Sequence, residues 1–386
     1  MHTTTLDERV ALVEAVRDFS ATALAPFANQ RDADKQFPID ALRQAGELGL
    51  GGIYAAEEYG GSALSRRDAV AIFEELAKGD TTLAAYISIH NMVVWMIDAF
   101  GDHAQRARWV PGLCAMTDLG SYCLTEPGAG SDAAAITTSA RRDGDDYVIT
   151  GVKQFISGAG SSAVYVVMAR TGELGPTGLS AIVVPAGTAG LSFGPNERKM
   201  GWNAQPTRQV VLDGVRVPVG NRLGAEGDGF GIAMKALNGG RVNIGAVSVG
   251  GAQWALARAT AHVQQREAFG APLAANQSVV FALADAETEL QAARALLQRA
   301  AEAIDERAPD AAVACAMAKR FATDASFQVA NTALQLHGGY GYLHESGIER
   351  VVRDLRVHQI LEGANEIMKL IVGRGVLAAH SSGRNA

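Results

Sequence analysis

Apolar positions along the chain follow three successive rhythms. Over about residues 1–118 the period is helical. Leu12, Val16, Phe19 and Ala23 recur at i, i+4, i+7 and i+11, one face of an amphipathic helix. Pro38 is expected to open a second helix and Gly49 to close it. Val70, Phe73 and Leu76 form the stripe of a helix over 68–77, and 83–100 is apolar almost all round, the pattern of a buried helix. Over about 119–224 the runs shorten and become rich in Val, Ile and Thr, with Gly, Pro and Asp between them. Tyr147-Val148-Ile149-Thr150, Val164-Tyr165-Val166-Val167 and Ser180-Ala181-Ile182-Val183-Val184-Pro185 predict strands, and Asp143-Gly144 a hairpin turn. Beyond about 225 the helical period returns in long Ala- and Leu-rich segments over 230–266, 277–308 and 311–336, followed by a last helix over 365–378. Glu362 and Gly363 fall just before that last helix, which places Glu362 on a bend. The predicted fold class is α+β: an N-terminal helical domain (1–118), a central β domain, barrel-like (119–224), and a C-terminal helix bundle (225–386).

Composition narrows the function classes. With 34 Lys and Arg against 41 Asp and Glu the net charge is −7, and no basic run of five or more appears. Nucleic acid and anionic membrane therefore have no electrostatic support as partners. Cys114, Cys123 and Cys315 are odd in number and lack a C-x-x-C spacing, so neither a disulfide framework nor a structural zinc site is expected, and no metal site is predicted. The N-terminal segment does not read as a secretory signal or an Arg-rich transit peptide. No uninterrupted apolar run approaches the roughly 20 residues of a membrane span, and a cytoplasmic location is expected. The order helices, strands, helices is not the alternation of a Rossmann sheet, and neither a strand-linked G-x-G-x-x-G nor a G-x-x-x-x-G-K-[ST] loop is present.

The chemistry concentrates in separated motifs. Ser121-Tyr122-Cys123-Leu124-Thr125-Glu126-Pro127-Gly128-Ala129-Gly130-Ser131-Asp132 reads as a strand ending in a loop that offers backbone N–H groups and hydroxyls to a close ligand. Phe155-Ile156-Ser157 follows, then Arg266 before Phe269-Gly270, then Gln335-Leu336-His337-Gly338-Gly339 at a helix end, then Ile360-Leu361-Glu362-Gly363-Ala364-Asn365-Glu366. In this order and spacing, over nearly the whole chain, the set resembles the acyl-CoA dehydrogenase family.

The resemblance implies FAD as cofactor and assigns roles position by position. Tyr122, Leu124, Thr125, Gly130 and Ser131 are expected to lie against the flavin, with Ser131 also reaching CoA. Phe155, where many relatives carry Trp, is expected to pack on the flavin, with Ile156 and Ser157 beside it. Arg266, Phe269, Asn276, Gln277, Gln335, Leu336, Gly338 and Gly339 resemble positions that grip the pyrophosphate and adenosine, partly from a neighbouring subunit. Ala364, Asn365 and Glu366 complete the cofactor set. Asn238, Gly239, Gly240, Arg241, Gly363 and Arg374 resemble contacts to substrate. His337 is expected to pack near the cofactor, with no catalytic role.

Glu362 is the expected base. Removing a weakly acidic α proton from an acyl thioester needs a carboxylate in an apolar pocket, whose pKa rises there, together with donors for the thioester oxygen. Some relatives carry the base immediately before the arginine corresponding to Arg241. Here that residue is Gly240, so Glu362 has no rival. Segments 85–92, 201–208, 237–241 and 352–362 resemble the branch of the family that acts on isobutyryl-CoA in valine breakdown. Butyryl-CoA or 2-methylbutyryl-CoA as substrate, an oxidase on the same fold, and a non-enzymatic flavin or acyl-CoA binder are the alternatives. Electron-transfer flavoprotein is the expected electron acceptor, and a homotetramer the expected assembly.

Overall fold

A computed structural model of the chain describes residues 6–382. The N-terminal region is helical: α1 (Leu6–Phe19), α2 (Ala28–Asp34), α3 (Ile39–Glu47), α4 (Arg66–Gly79), α5 (Thr81–Phe100) and α6 (His103–Cys114). Local chemistry fixes where several of these begin. Ser65 and Asp68 form a capping box at the start of α4, and Asp102 and Gln105 another at α6. Asp80, the single residue between α4 and α5, accepts from the Thr82 and Leu83 amides. The predicted second helix runs over Ile39–Glu47, and Gly49 follows it at φ 76°. Ala23 falls beyond α1, because the helix widens into a π turn over Ser20–Leu24. α6 had no clear sequence stripe: Arg106, Arg108 and Pro111 interrupt its apolar pattern.

The middle of the chain folds into β1 (Gly120–Cys123), β2 (Ser139–Asp143), β3 (Asp146–Ser157), β4 (Val164–Arg170), β5 (Leu179–Pro185), β6 (Leu191–Phe193), β7 (Thr207–Pro218) and β8 (Arg222–Leu223). Their order is β6-β7-β3-β2-β4-β5-β8, with β1 parallel to β4. The barrel-like expectation is corrected here: the sheet is mixed and open. The ladder between its halves is a single pairing, Ser139 with Arg170, and the outer strands β6 and β8 do not meet. β4 shows why its sequence reads as a continuous apolar run. Val164, Val166 and Met168 enter the core shared with the helices, while Tyr165, Val167 and Ala169 enter the core between the two half-sheets. β7 was not foreseen, because Arg208, Gln209, Asp213 and Arg216 break its alternation.

The C-terminal bundle consists of α7 (Gly229–Gln265), α8 (Gln277–Asp305), α9 (Ala311–Leu336), α10 (Ile348–His358) and α11 (Asn365–Ser382). A small hairpin, β9 (Glu267–Ala268) with β10 (Ala271–Pro272), follows α7. α7 is buried along most of its 37 residues, and its glycines allow other chain segments to come very close. A Cβ at Gly250 would stand 2.1 Å from the Glu74 carbonyl oxygen of α4. α5 is long and apolar enough to cross a membrane, yet most of it is buried within the protein. Among the described residues all three cysteines are free and buried, and no cluster of metal-ligating side chains exists.

The α4–α7 contact yields a paired prediction. Gly250→Ala forces a methyl group into the Glu74 backbone and should destabilise the protein by more than about 2 kcal/mol. Gly231→Ala, where nothing lies within 4 Å of the new carbon, should stabilise it by up to about 1 kcal/mol. Thermal unfolding of both variants checks this, and equal shifts would contradict it.

Candidate active site

The site is built on the turn between α10 and α11. After His358 the chain tightens, with the Ile360 and Leu361 amides donating to the Val357 carbonyl and the Asn365 amide to the Gln359 carbonyl. Glu362 sits at the apex with φ 54°, a left-handed conformation that a non-glycine residue adopts only when its surroundings enforce it. Four cationic or amide groups supply that enforcement. Arg241 Nε donates to the Glu362 carbonyl oxygen at 3.1 Å. Lys319 Nζ donates to the Gly363 carbonyl at 2.9 Å and to Asn365 Oδ1 at 2.8 Å. Asn365 Nδ2 and Gln359 Nε2 both donate to Asp324 Oδ1.

The Glu362 side chain turns inward onto α7. An ideal Cβ on Gly240 would lie 1.9 Å from Glu362 Oε2, so the carboxylate fills the space that any side chain at position 240 would need. Oε2 is sealed from solvent and finds no hydrogen-bond partner among the described residues. Burial raises the Glu362 pKa to about 7, a rise that the nearby charges of Arg241 and Lys319 oppose. The Glu362 N–H donates to no described residue. Tyr122, on β1, carries a second buried polar atom without a partner among the described residues, its hydroxyl. Burial first, and then the field of Glu362, raise that phenol's pKa. Two unsatisfied buried polar atoms close enough for one to shift the other's pKa mark space for a ligand with polar groups of its own.

The loop after β1 is held from behind by a buried ion pair. Lys153 Nζ, fully buried, donates to Glu126 Oε1 at 2.8 Å and to the Leu124 carbonyl at 3.0 Å. Glu126 also accepts from Thr137 and Thr138. Burial would raise the Glu126 pKa, but these donors and the Lys153 charge outweigh it and hold the carboxyl down to about 2. Gln154 N–H donates to the Thr125 carbonyl at 2.8 Å. Phe155 sits in the β-bulge of β3 at φ 58°, 63% exposed, with Ile156 buried beneath and Ser157 ending the strand. An aromatic ring left uncovered beside Thr125 suits a flat apolar ligand. Gly130 has nothing within 4 Å of an ideal Cβ, and Ser131 is exposed.

A cavity of about 620 Å³ lies at the far end of α7 and α9. Arg266, Gln335, Leu336, Gly338 and Gly339 line it together with His262 and His337, whose rings stack at 4.5 Å. Its single arginine and open glycine backbone suit a phosphate-bearing ligand. Asn276 and Gln277 open α8 and are exposed, but they do not line that cavity. Phe269, at the tip of the β9–β10 hairpin, is fully exposed.

The expected substrate and cofactor positions separate into two sets. Asn238, Gly239, Gly240 and Arg241 come together with Glu362 and Gly363. The Arg241 side chain, however, is buried and spent on Asn238 Oδ1 and the Glu362 carbonyl. Asn365 is likewise taken up inside the protein, while Ala364 and Glu366 flank it at the start of α11 and Arg374 is exposed further along. Sequence reasoning missed Lys319, Lys153 and Arg66. Lys153 is a lone base among apolar neighbours, whereas Arg66 and Lys319 stand beside Arg67 and Arg320, and no local pattern tells which base of each pair is buried. Arg66 stacks on the Tyr54 ring at 3.6 Å and lies against Gly239.

Comparison with known proteins adds the following. Family models of the acyl-CoA dehydrogenase N-terminal, middle and C-terminal domains match residues 6–117, 121–215 and 227–377. The mitochondrial isobutyryl-CoA dehydrogenase of Bos taurus is 50% identical over 96% of this chain and 89% of its own length. That of Dictyostelium discoideum is 52% identical over 92% of this chain and 86% of its own. The solved structure of butyryl-CoA dehydrogenase from Megasphaera elsdenii superposes with a TM-score of 0.94 at 36% identity, covering 98% of this chain and all of that one. The expected cytoplasmic location is overturned, because both isobutyryl-CoA dehydrogenases are named as mitochondrial proteins. With all three domain models matched in order along the chain, it belongs to the acyl-CoA dehydrogenase family.

Proposed function

We propose that the chain converts isobutyryl-CoA to methacrylyl-CoA, with Glu362 taking the α proton. The family makes it an FAD-dependent oxidoreductase that dehydrogenates a short-chain acyl-CoA. The finer reading rests on one observation: a carboxylate sealed against Gly240 with one oxygen unpartnered and a pKa of about 7. Such a group accepts a proton at neutral pH, and burial favours the neutral acid that results. FAD, when bound, supplies the acceptor for the hydride that leaves the β carbon. Phe155, Thr125, Tyr122 and Ser157 would hold its ring, and Arg266 with Gln335, Gly338 and Gly339 its pyrophosphate and adenosine. The uncommitted Glu362 N–H is a donor for the thioester oxygen, where negative charge gathers as the proton leaves.

The branched C4 acyl group is favoured by the 50% and 52% identity to the two isobutyryl-CoA dehydrogenases. On this reading the reaction belongs to valine breakdown, with electron-transfer flavoprotein taking the electrons. Self-association, to a tetramer in the family, is supported by apolar side chains left exposed on the C-terminal bundle, among them Phe269, Phe281, Tyr342 and Leu377.

Two variants test the base. Glu362→Gln should keep FAD and bind acyl-CoA, yet lose at least about a thousandfold in the rate at which isobutyryl-CoA bleaches the flavin. Normal bleaching would overturn the assignment. Gly240→Ala should drive the carboxylate out of its seat and slow the same step by about a hundredfold while leaving FAD content unchanged. An unaffected rate would show that the seat does not matter. Initial rates with isobutyryl-, butyryl- and 2-methylbutyryl-CoA decide the substrate, and a higher kcat/KM for either of the last two would displace isobutyryl-CoA.

A further inference from the structure

Glu362 hangs from the end of α10. Arg353 Nη1 of that helix donates to the Met200 carbonyl at 3.1 Å, and next to it Trp202 ties α10 sideways to the segment leading into β7. The tie is double. The Trp202 backbone N–H donates to Asp354 Oδ1 at 2.7 Å, and its indole Nε1 donates to His358 Nε2 at 3.1 Å. Asp354 and His358 are four residues apart on the same face of α10. Asp354 is itself fixed by the Thr81 and Thr82 hydroxyls of α5. Trp202 is 5% exposed and holds φ 55°, and Gly201 beside it packs so closely that a Cβ would lie 2.6 Å from the Arg353 carbonyl carbon. The loop is thus shaped to lie flush on α10.

The hydrogen bonds have a direction. An indole N–H only donates, so His358 Nε2 accepts and carries no proton. The neutral ring's proton is then on Nδ1, which donates to Ser248 Oγ at 2.7 Å, and Ser248 in turn donates to the Ile244 carbonyl of α7. His358 is fully buried, and burial together with the charge of Lys319 lowers its pKa to about 3. The ring therefore stays neutral, and the chain keeps this one arrangement throughout the physiological range.

The two ends of this chain lead to the two halves of the site. From Trp202 the backbone leads to β7: just before the strand the Pro206 carbonyl accepts from the Gly158 amide, and at its start Thr207 pairs with Ser157. From His358 it is four residues to Glu362, and from Ser248 α7 runs back to Gly240 and Arg241. We propose that Trp202 and His358 are positioning residues. Through the directed chain Trp202–His358–Ser248 they set the separation between the flavin-facing end of β3 and the Glu362 carboxylate. The inference rests on Glu362 being the base, and it assigns no contact with substrate to either residue.

The test uses FAD-loaded enzyme and three variants. Trp202→Phe keeps the ring and removes the donor. His358→Leu removes both ring nitrogens. His358→Gln can still accept from the indole and donate to Ser248. The first two should bleach about 10- to 100-fold more slowly, with FAD content unchanged and acyl-CoA affinity within about threefold. The isotope effect from deuterium at the α carbon should grow relative to that at the β carbon, because the base rather than the hydride path is displaced. The glutamine variant should recover to within about threefold of the parent rate. Nitrogen-15 resonances of His358 should show an unprotonated Nε2 and a protonated Nδ1 between pH 5 and 8, with and without FAD. Unchanged bleaching in Trp202→Phe and His358→Leu, an unchanged ratio of isotope effects, no recovery with glutamine, or a protonated Nε2 would each overturn the proposal. Its failure is separable from that of the base, because Glu362→Gln is measured alone: a dead Glu362→Gln with a normal Trp202→Phe rejects only the tie.

Discussion

The packing of one carboxylate against one glycine organises this protein. Glu362 can be a strong base only while its carboxyl group is away from water, and it can be away from water only where α7 lacks a side chain. Gly240 provides that gap. The surrounding groups each counter a consequence of burying an acid. Arg241 and Lys319 bring positive charge close enough to keep the carboxylate accessible, but their hydrogen bonds go to the backbone carbonyls of Glu362 and Gly363 and to the side chains of Asn238 and Asn365. They pin the loop without forming an ion pair with the base. A direct pair would lower the pKa and use up the lone pair that must take a proton. Lys319 is itself held down to about 8, burial being the main cause.

The same division of labour recurs across the site. On the sheet side, Lys153 and Glu126 form the buried pair that the base avoids, and there it serves rigidity: it fixes the loop carrying Thr125 to the strand carrying Phe155. On the helix side, Asp324 and Asn365 lock the turn, and Trp202 locks α10 to the sheet. A reaction that removes a proton and a hydride from adjacent carbons needs its two acceptors at a fixed spacing. Here the spacing is built from three regions of the chain, so α4, α5, α7 and α10 all bear on a site that none of them forms alone.

Much of this was legible in the sequence, for identifiable reasons. The helices α8 and α9 announce themselves by long Ala- and Leu-rich runs, α7 by its length without a strand or turn signal, and α9 falls on its expected bounds. β4 and β5 were visible because both faces are buried. Glu362 was legible as a bend residue because Gly363 follows it. What could not be read were the distant pairings. That Gly240 faces Glu362 across 122 positions, that Lys319 reaches Gly363, and that Trp202 bonds to His358 depend on how α7, α9 and α10 cross. No local pattern encodes that. The open sheet escaped prediction likewise: strand identity is local, whereas closure depends on the edges, and β6 and β8 are only three and two residues long.

The central claim concerns a proton, and it can be measured without turnover. Carbon-13 in the Glu362 carboxyl, identified by its absence from the Glu362→Gln spectrum, should titrate with a midpoint near 7 in the folded protein. A midpoint near 4.5, the ordinary glutamate value, would mean that the carboxylate is in water and that the account of the site is wrong.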